Sequence, residues 1–379
     1  QLLLNSNYDV IGNLYDGRVQ NVAELLTNNL ALPETNLDYQ AIHNRQTNFF
    51  TSTPGGVYTD FYRAVFRSNV VLESFDLIEG LTDADRTRIE AEARFIRAIC
   101  HFQVVRLWAQ PYGYTPNNTH LGIPIREAAT QDPLPRSNVN DVYNFIEQDL
   151  LFAYDNLPLS NDVYATKYSA AGFLAYMYFL QGSHQNAADY ASEVIGSGQF
   201  ALETTIDRFL QDSQSTETVF GIVGNLNDNR SEAFRDNYRS DNNPSPTLTF
   251  SEQFKDLLVQ NPSDDRNDWL TVSGTKYLVN KFNNKEYFNV PIVYLTSLKL
   301  IRAEALAEVG TSLDVAINDV NDIRDRAFGE GLNDLSETAT SEDIIAAARI
   351  EMWKETACEG TWIDQLKRRG TMGENIEVR

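Results

Sequence analysis

Two segments of the chain share one pattern, and this pattern constrains the fold more than any other feature. They are "KYSAAGFLAYMYFLQGSHQNAADYASEVI" (167–195) and "VYLTSLKLIRAEALAEVGTSLDVAINDVNDIR" (293–324). Each reads as an apolar helix, a small turn and an amphipathic helix, with an alanine seven residues before the turn glycine: Ala175 and Gly182, Ala303 and Gly310. Small residues let two antiparallel helices approach closely, as in a tetratricopeptide helix pair. The copies lie about 130 residues apart, so the sequence predicts helix pairs distributed through one fold.

Helical periodicity extends over most of the remaining chain. The apolar spacing predicts helices over 10–29, 57–79, 83–108, 138–156, 166–181, 185–196, 291–309, 312–327 and 341–368. Two loop-rich regions lack it, 30–56 and 197–290, and the second contains the β-like pieces "TVFGIV" and "KYLVNKF". Such long loops are usually functional or disordered, and their aromatic content argues against disorder. We therefore predict an all-α fold, with minor β pieces.

The run "AEARFIRAICHFQVVRLWAQPYGY" (91–114) combines arginines, a Cys-His pair and a tryptophan, which raises the question of an active site. Cys100 and His101 are adjacent, so on a helix they point about 100° apart and cannot act as a thiolate–imidazole pair. Most of the helix surface is apolar, which is typical of a buried helix, and Glu90, Arg94 and Arg97 have the spacing of ion pairs. We interpret this run as part of the core.

The charge balance limits the partners. The formal net charge is −22, and a surface this negative repels phosphate backbones, so no nucleic acid partner is expected. No apolar stretch reaches the ~18 residues of a membrane span. The chain begins at Gln1 without the pattern of a signal peptide, which fits a cytosolic protein and equally a trimmed secreted or lipid-anchored one.

Signatures of catalysis or metal binding are missing from the sequence. None of the common nucleotide-binding, hydrolase or zinc motifs occurs, and the four histidines are isolated. We predict no catalytic residue, no metal site and no cofactor. Three points stay open: a spatial pair of catalytic carboxylates among 53 acidic residues, incidental calcium binding by "NPSDDRND", and a disulfide between Cys100 and Cys358.

Aromatic residues are concentrated in and beside the two loop-rich regions. Those of the first are Tyr39, Phe49, Phe50 and Tyr58, and those of the second are Tyr238, Trp269, Tyr277, Tyr287 and Phe288. Rings surrounded by Asn, Asp and Arg suit a ligand with apolar faces and many hydroxyl groups. A saccharide fits this description and a peptide fits it less uniquely, while the alternative is that the rings only anchor the loops.

Four blocks resemble one family, the SusD/RagB proteins of nutrient uptake in Bacteroidota. They occur in family order: "DFYRAVFRSNVVLE", "AEARFIRAICHFQVVRLWAQPYGY" followed by "HLGIPI", "VPIVYLTSLKLIRAEALAEVG" followed by "AINDVNDIRDRA", and "RIEMWKETACEGTWIDQLKRRG". Trp362 stands where the family usually has Arg, and Gln365-Leu366 spreads the usual Asp-Leu. The chain is also short for the family, which concerns the binding loops more than the fold.

The resemblance implies a single SusD-like domain over 1–379, with tetratricopeptide-like helix pairs on one side and ligand-binding loops on the other. It implies a non-catalytic lipoprotein on the extracellular face of the outer membrane, held by an N-terminal lipid anchor on a cysteine that this chain lacks. Such a protein captures oligosaccharides or polysaccharides, in some cases peptides, for a SusC-like TonB-dependent transporter. A peptide-capturing RagB-like protein, an all-α carbohydrate-active enzyme and a purely structural helix-repeat adaptor are the alternatives.

The family places its ligand contacts in the loop after the first helix and in the middle loops, which are the aromatic-rich regions here. The ligand-binding residues that we predict on this basis are Asn36, Asp38, Tyr58, Tyr238, Arg239, Trp269 and Tyr287. Turn chemistry is the alternative for Asn36 and Asp38, and the helix-start aromatic of the family framework is the alternative for Tyr58. Four charged residues are predicted to form framework ion pairs instead: Arg302, Glu304, Arg324 and Arg326.

Overall fold

The fold is predominantly helical, as the periodicity predicts. The computed structural model describes residues 2–241, 243 and 245–374. Its helices are α1 (Leu2–Leu14), α2 (Arg18–Glu24), α3 (Leu37–His43), α4 (Ser52–Glu73), α5 (Asp83–Trp108), α6 (Val139–Asn156), α7 (Lys167–Gln181), α8 (His184–Gly196), α9 (Glu232–Tyr238), α10 (Glu252–Leu258), α11 (Leu295–Val309), α12 (Leu313–Phe328), α13 (Ser341–Glu355) and α14 (Trp362–Thr371). The strands are β1 (Thr218–Ile222), β2 (Leu270–Ser273), β3 (Lys276–Val279) and β4 (Val290–Tyr294).

The two predicted helix pairs are confirmed as α7 with α8 and α11 with α12. In each pair the turn glycine ends the first helix in the left-handed conformation, with φ +75° at Gly182 and +78° at Gly310. Ala175 and Ala303 are fully buried. Helix α8 also packs against α11, although 98 residues of the chain lie between the end of α8 and the start of α11. The two copies are therefore neighbours in space.

The remaining long helices extend this arrangement. Helix α1 packs on α4, α4 on α5, α5 on α6 and α6 on α7, while α13 packs on α11. The hydrophobic core runs continuously through these contacts. No helix among the described residues is long and apolar enough to cross a membrane.

Two predicted helices are broken, and both breaks have a tertiary cause. The 10–29 pattern is interrupted at Gly17 (φ +116°), where a Cβ would lie 2.5 Å from the backbone nitrogen of Phe234. The 341–368 pattern is interrupted between α13 and α14, where a Cβ on Gly360 (φ +73°) would lie 2.7 Å from Cα of Gln20. Helix α2 is thus packed between α9 and the α13–α14 joint. Two hydrogen bonds join the end of α2 and the residues after it to the α13–α14 region. The backbone N–H of Gly360 donates to Glu24 (3.1 Å), and Nε1 of Trp353 donates to Asn29 (2.6 Å).

The loop-rich regions are more ordered than the sequence indicates. The predicted pieces "TVFGIV" and "KYLVNKF" contain β1 and β3. Strand β1 pairs antiparallel with β4, and β2 pairs antiparallel with β3 across a two-residue turn. The short helices α3, α9 and α10 were not predicted. Because β4 takes residues 290–294, helix α11 begins at Leu295 and not at the predicted residue 291.

Helix α5 belongs to the core, as interpreted from its sequence. Arg97 makes a bidentate ion pair with Asp149 (2.7 and 2.8 Å) and also donates to Asn69 (2.8 Å). His101 is fully buried and accepts the backbone N–H of Arg126 through Nε2 (3.2 Å). Burial lowers the pKa of His101 to about 4, so the imidazole is neutral at physiological pH. Cys100 and Cys358 are both buried and free, so they form no disulfide.

The predicted framework ion pairs are confirmed. Arg302 pairs with Asp319 of α12 (2.6 Å), and Arg324 pairs with Glu351 of α13 (2.9 Å). Glu304 accepts from two arginines of the C-terminal helices, Arg349 (2.7 Å) and Arg368 (2.6 Å). These pairs connect α11 and α12 to α13 and α14. Arg326 also forms ion pairs, but it contributes in addition to the site described next.

Candidate ligand-binding site

A cleft with a volume of about 720 Å³ lies in the second loop-rich region. Apart from one arginine of α12, every residue that lines it comes from 197–290. We call it the acidic cleft, and its lining is Thr204, Thr205, Ile206, Asp207, Leu210, Ser240, Asp241, Asp265, Asp268, Trp269, Thr271, Leu278, Asn280, Asn283, Asn284 and Arg326. Most of these side chains carry a carboxylate, an amide or a hydroxyl group.

The amides and hydroxyls of the cleft hold one another in place. Asn280 donates to Thr271 Oγ1 (2.8 Å), and its own carbonyl oxygen accepts from Ser240 Oγ (3.0 Å). Asn283 accepts the backbone N–H of Ser240 (2.9 Å) and donates to its hydroxyl (2.9 Å). The loop 240–241 is thereby fixed against the segment that follows β3, which shapes one wall of the cleft.

The four carboxylates of the cleft differ in their environment. Asp241 is paired with Arg239 (2.5 Å) and accepts the backbone N–H of Asn284 (2.9 Å). Partial burial alone would raise its pKa, but these interactions hold the pKa of Asp241 below its ordinary value. The other three, Asp207, Asp265 and Asp268, have no ion-pair partner within the described part of the chain. Partial burial raises the pKa of Asp207, and the neighbouring Asp268 raises it further.

Arg326 is the one basic residue in the described lining, and its charge is compensated from behind. Its terminal nitrogens donate to Glu217 and to Glu355 (2.7 Å to the latter). The side chain is 3% exposed, and its Nε has no hydrogen-bond acceptor among the described residues. Arg326 therefore closes the cleft without giving it a free positive charge.

A buried ion network lies directly behind the cleft. Arg208 pairs with Glu355 (2.9 Å) and with Glu359. Arg266 pairs with the other oxygen of Glu355 (3.1 Å), with Asp264 (2.8 Å) and with Glu351 (2.8 Å). The network joins the second loop-rich region to α13 and to the joint that follows it.

Lys281 completes this network. Its ammonium group pairs with Glu359 (2.7 Å) and donates to the carbonyl oxygens of Glu355 (2.8 Å) and Ala357 (3.0 Å). Burial lowers the pKa of Lys281, although Glu359 opposes this effect. Burial alone would raise the pKa of Glu355, but its four basic neighbours lower it to about 2. Glu355 is therefore ionised at neutral pH.

Trp269 lies in the wall of the acidic cleft, but it cannot act as the predicted stacking platform in this structure. Its side chain is only 2% exposed, and the ammonium group of Lys281 lies 4.3 Å from the centre of its ring. The indole N–H has no hydrogen-bond acceptor of normal geometry among the described residues, although it is close enough to Asp207 to lower the pKa of that carboxyl. Trp269 thus shapes the wall and leaves no ring face for a ligand.

The other predicted residues of the second loop-rich region have different surroundings. Tyr238 is fully buried and packs against Phe234 and Phe282, so it has no surface for a ligand. Arg239 is buried and its guanidinium is used by Asp241 and Glu286, which makes it a support for a cleft carboxylate. Tyr287 is 38% exposed but does not line the cleft.

The three predicted residues near the start of the chain have structural roles in this fold. Asn36 accepts the backbone N–H of Tyr39 (3.0 Å) and caps α3. Asp38 accepts the backbone N–H and hydroxyl of Thr53 (2.7 and 2.8 Å) at the start of α4, and these bonds hold its pKa below the ordinary value against the effect of partial burial. Tyr58 packs against Tyr62 and Trp108. None of the three lines the acidic cleft.

A smaller cleft of about 170 Å³ lies where the two loop-rich regions meet. Across it, Lys276 of β3 pairs with Glu34 (2.8 Å), and Tyr277 lines the same cleft. Phe49 and Phe50 are the most exposed aromatic residues of the first region, at 95% and 87%. The structure thus brings the two regions together, but not through the seven predicted residues.

The carboxylates of the acidic cleft were not predicted as ligand contacts, and the sequence contains a signal for two of them. In "IDRF" and "DDRND", Asp207 and Asp265 each directly precede an arginine. The arginine is buried in the ion network while the aspartate faces the cleft. Within the described residues, which include "NPSDDRND", no group of three or more His, Cys, Asp or Glu side chains is placed to hold a metal ion.

Two family models match the chain and together cover most of it. The model described as "Starch-binding associating with outer membrane" matches residues 3–179. The model described as "SusD family" matches residues 225–377. Each match includes two of the four blocks that carry the resemblance.

Curated relatives carry the same family name. A SusD-like protein of Bacteroides ovatus is 29% identical over 166 residues, which cover 40% of this chain and 29% of the relative. The SusD-like protein P2 of Formosa agariphila is 26% identical over 310 residues, covering 66% of this chain and 59% of the relative. The matched parts are thus less than two thirds of each relative.

Solved structures of the family have the same fold. A SusD superfamily protein of Bacteroides fragilis superposes with a TM-score of 0.85 at 18% identity, covering 97% of this chain and 89% of the other. A SusD-like carbohydrate binding protein of Bacteroides vulgatus gives a TM-score of 0.81 at 16% identity, covering 97% and 82%. At these identities the likeness concerns the fold alone. Taken with the two family models, it leads to one conclusion: the chain belongs to the SusD/RagB family.

Proposed function

We propose that this protein captures oligosaccharides in the acidic cleft, at the outer face of the outer membrane, and releases them intact to a SusC-like TonB-dependent transporter. The observation that carries the proposal is the cleft itself. Its volume of about 720 Å³ lies within the range of ligand pockets, roughly 300–1,000 Å³. Its lining combines carboxylates, amides and hydroxyl groups, all of which form hydrogen bonds with a ligand's hydroxyl groups.

The chemistry of this lining suits a polyhydroxylated ligand. Each sugar hydroxyl both donates and accepts a hydrogen bond, and the carboxylates of Asp207, Asp265 and Asp268 are free acceptors. Thr204 and Thr205 add exposed hydroxyl groups, and Asn284 adds an exposed amide. Micromolar affinity, roughly −7 to −8 kcal/mol, would suffice to capture a nutrient and still release it.

The family supports a binding role at the outer membrane. One matched model describes starch-binding proteins that associate with the outer membrane, and one structural neighbour is described as a carbohydrate binding protein. SusD family proteins are non-catalytic binding proteins, so the chain is a binding protein and not a carbohydrate-active enzyme. The lipid anchor and the transporter partner belong to the proposal.

The proposal is tested by calorimetric titration of the chain with a panel of oligosaccharides and short peptides. Each sample is examined afterwards for cleavage. A variant that fills the cleft, Thr204→Trp, should weaken saccharide binding by about tenfold or more, because the indole occupies the space of the ligand. The matched control is Thr311→Trp, which places the same ring at an exposed position beyond the end of α11.

Saturable binding of an intact saccharide that Thr204→Trp weakens and Thr311→Trp leaves unchanged would support capture in the cleft. Equal binding by both variants and the unchanged chain would exclude the acidic cleft as the site. Binding of peptides alone would favour the RagB-like alternative. The absence of any small ligand would favour a structural adaptor.

A further inference from the structure

The acidic cleft carries an unbalanced charge. Asp207, Asp265 and Asp268 line it without an ion-pair partner among the described residues, and the fourth carboxylate, Asp241, is matched by Arg239. The only described cation in the lining, Arg326, is matched by Glu217 and Glu355 behind the wall. The surface that meets a ligand therefore has three carboxylates without an ion-pair partner.

The nearest buried cations form no ion pair with these carboxylates, and Lys281 only moderates the rise in the pKa of Asp207 that burial and Asp268 cause. Arg208, Arg266 and Lys281 follow the cleft residues in sequence, but their side chains are at most 2% exposed. Each is already paired with one or more carboxylates of the buried network. A ligand with its own negative charge would thus find no free cation on the described walls.

We propose that the acidic cleft selects among saccharides by charge: it accepts neutral and amino-bearing saccharides and excludes those that carry carboxylate or sulfate groups. This inference rests on the proposed function, because it concerns the ligands of the same cleft. Neutral sugars donate hydroxyl hydrogen bonds to the three carboxylates, and amino sugars add an ammonium group that the carboxylates attract. Uronate and sulfate groups offer only acceptors and are repelled.

The expected discrimination follows from Coulomb's law. One like charge at about 6 Å in water lowers an association constant by about threefold. Three such charges give roughly thirtyfold at low ionic strength, and screening by physiological salt leaves about fivefold. Discrimination of this origin should decrease further at high salt, whereas a purely steric exclusion would not depend on salt.

The test compares three sets of oligosaccharides of matched length: neutral hexose oligomers, uronate- or sulfate-bearing oligomers, and glucosamine oligomers. Each set is titrated at low and at high salt with the unchanged chain and with the triple variant Asp207→Asn/Asp265→Asn/Asp268→Asn. The control is Glu79→Gln/Glu127→Gln/Glu337→Gln, in which three exposed carboxylates outside the cleft are neutralised. The control has the same net charge as the triple variant, so it measures the effect of overall charge.

The quantity compared is the ratio of neutral to acidic affinity, because the carboxylates also contribute to neutral binding. At low salt we expect a ratio of about tenfold or more for the unchanged chain and the control, and about threefold or less for the triple variant. Equal affinity of the unchanged chain for acidic and neutral sets would overturn charge selection while leaving saccharide capture intact. The same ratio in the triple variant and the control would also overturn it, since the cleft would then play no special part. Absence of binding to all three sets would instead remove the proposed function and this inference with it.

Discussion

The wall of the acidic cleft has one side that faces the cleft and one that faces the buried ion network. The same short segments form both sides, but the two sides differ in whether their charged groups are paired. At 207–208 and 265–266 an aspartate faces the cleft and the next residue, an arginine, enters the buried network. On the buried side every cation is matched by a carboxylate, because an uncompensated charge there would lose its solvation without any gain. On the cleft side the aspartates stay in contact with water and need no partner. We infer that the buried side fixes the geometry and the cleft side is free to meet a ligand.

This comparison predicts the largest effect for Glu355, which accepts from Arg208, Arg266 and Arg326. Glu355→Gln should lower the free energy of unfolding by about 3–5 kcal/mol, because three buried guanidinium groups lose a charged acceptor. Denaturant unfolding would measure the loss. A change below about 1 kcal/mol would mean that the network is not what holds the wall.

Acidification should weaken the buried side. The pKa of Glu355 is about 2 in the folded protein and about 4.3 in an unfolded chain. Its contribution is therefore complete above pH ~4.3 and is lost as the pH falls towards 2; the shift corresponds to about 3 kcal/mol. The measurement is the free energy of unfolding across this range, with Glu355→Gln as the control that should lack this part of the pH dependence. The pKa of Asp207 on the cleft side is raised, so its protonation acts with the opposite sign.

A smaller effect is expected for Arg239, which pairs with Asp241 of the acidic cleft and with Glu286. Arg239→Ala should lower the free energy of unfolding by about 1–2 kcal/mol, because the hydrogen bonds of a buried guanidinium to two partly exposed partners, Asp241 and Glu286, are lost. It should also leave Asp241 as a fourth uncompensated carboxylate and increase the preference for neutral over acidic saccharides. Unfolding and titration would check the two effects separately, and a stability loss without a change in preference would separate Asp241 from the ligand.

The smallest effect on stability is expected for the cleft side. The triple variant Asp207→Asn/Asp265→Asn/Asp268→Asn should change the free energy of unfolding by no more than about 0.5 kcal/mol, since none of these carboxylates forms an ion pair with a described buried cation. Thermal and denaturant unfolding would test this. A large loss would show that the cleft carboxylates are part of the framework, and the contrast between the two sides would then fail.

The sequence predicted the framework well because local patterns determine it. Helix periodicity, the alanine and glycine positions of the two helix pairs, and the four family blocks all lie within short windows, and the structure confirms them. The breaks in the helices at Gly17 and Gly360 could not be predicted from such short windows, since each break depends on a backbone contact with a distant segment.

The candidate site was less predictable for the same reason. Trp269 was predicted as a ligand-binding residue and lies in the wall of the acidic cleft, but whether a ring is exposed depends on its packing partners, here Lys281. Tyr238 and Arg239 follow the composition of a binding loop, yet they are buried in the structure. The carboxylates that do face the cleft converge from segments tens of residues apart, and no local pattern records that convergence.

The packing of α2 against the α13–α14 joint has a consequence for the order in which the molecule assembles. Glu24 and Asn29 receive hydrogen bonds from Gly360 and Trp353, partners more than 320 residues later in the chain. During synthesis the N-terminal helices therefore emerge long before the segment that completes their surroundings. Closing such distant contacts is slow, and until then the exposed apolar surface is prone to aggregation. The docking of α13 and α14 is thus the step that completes the surroundings of α2.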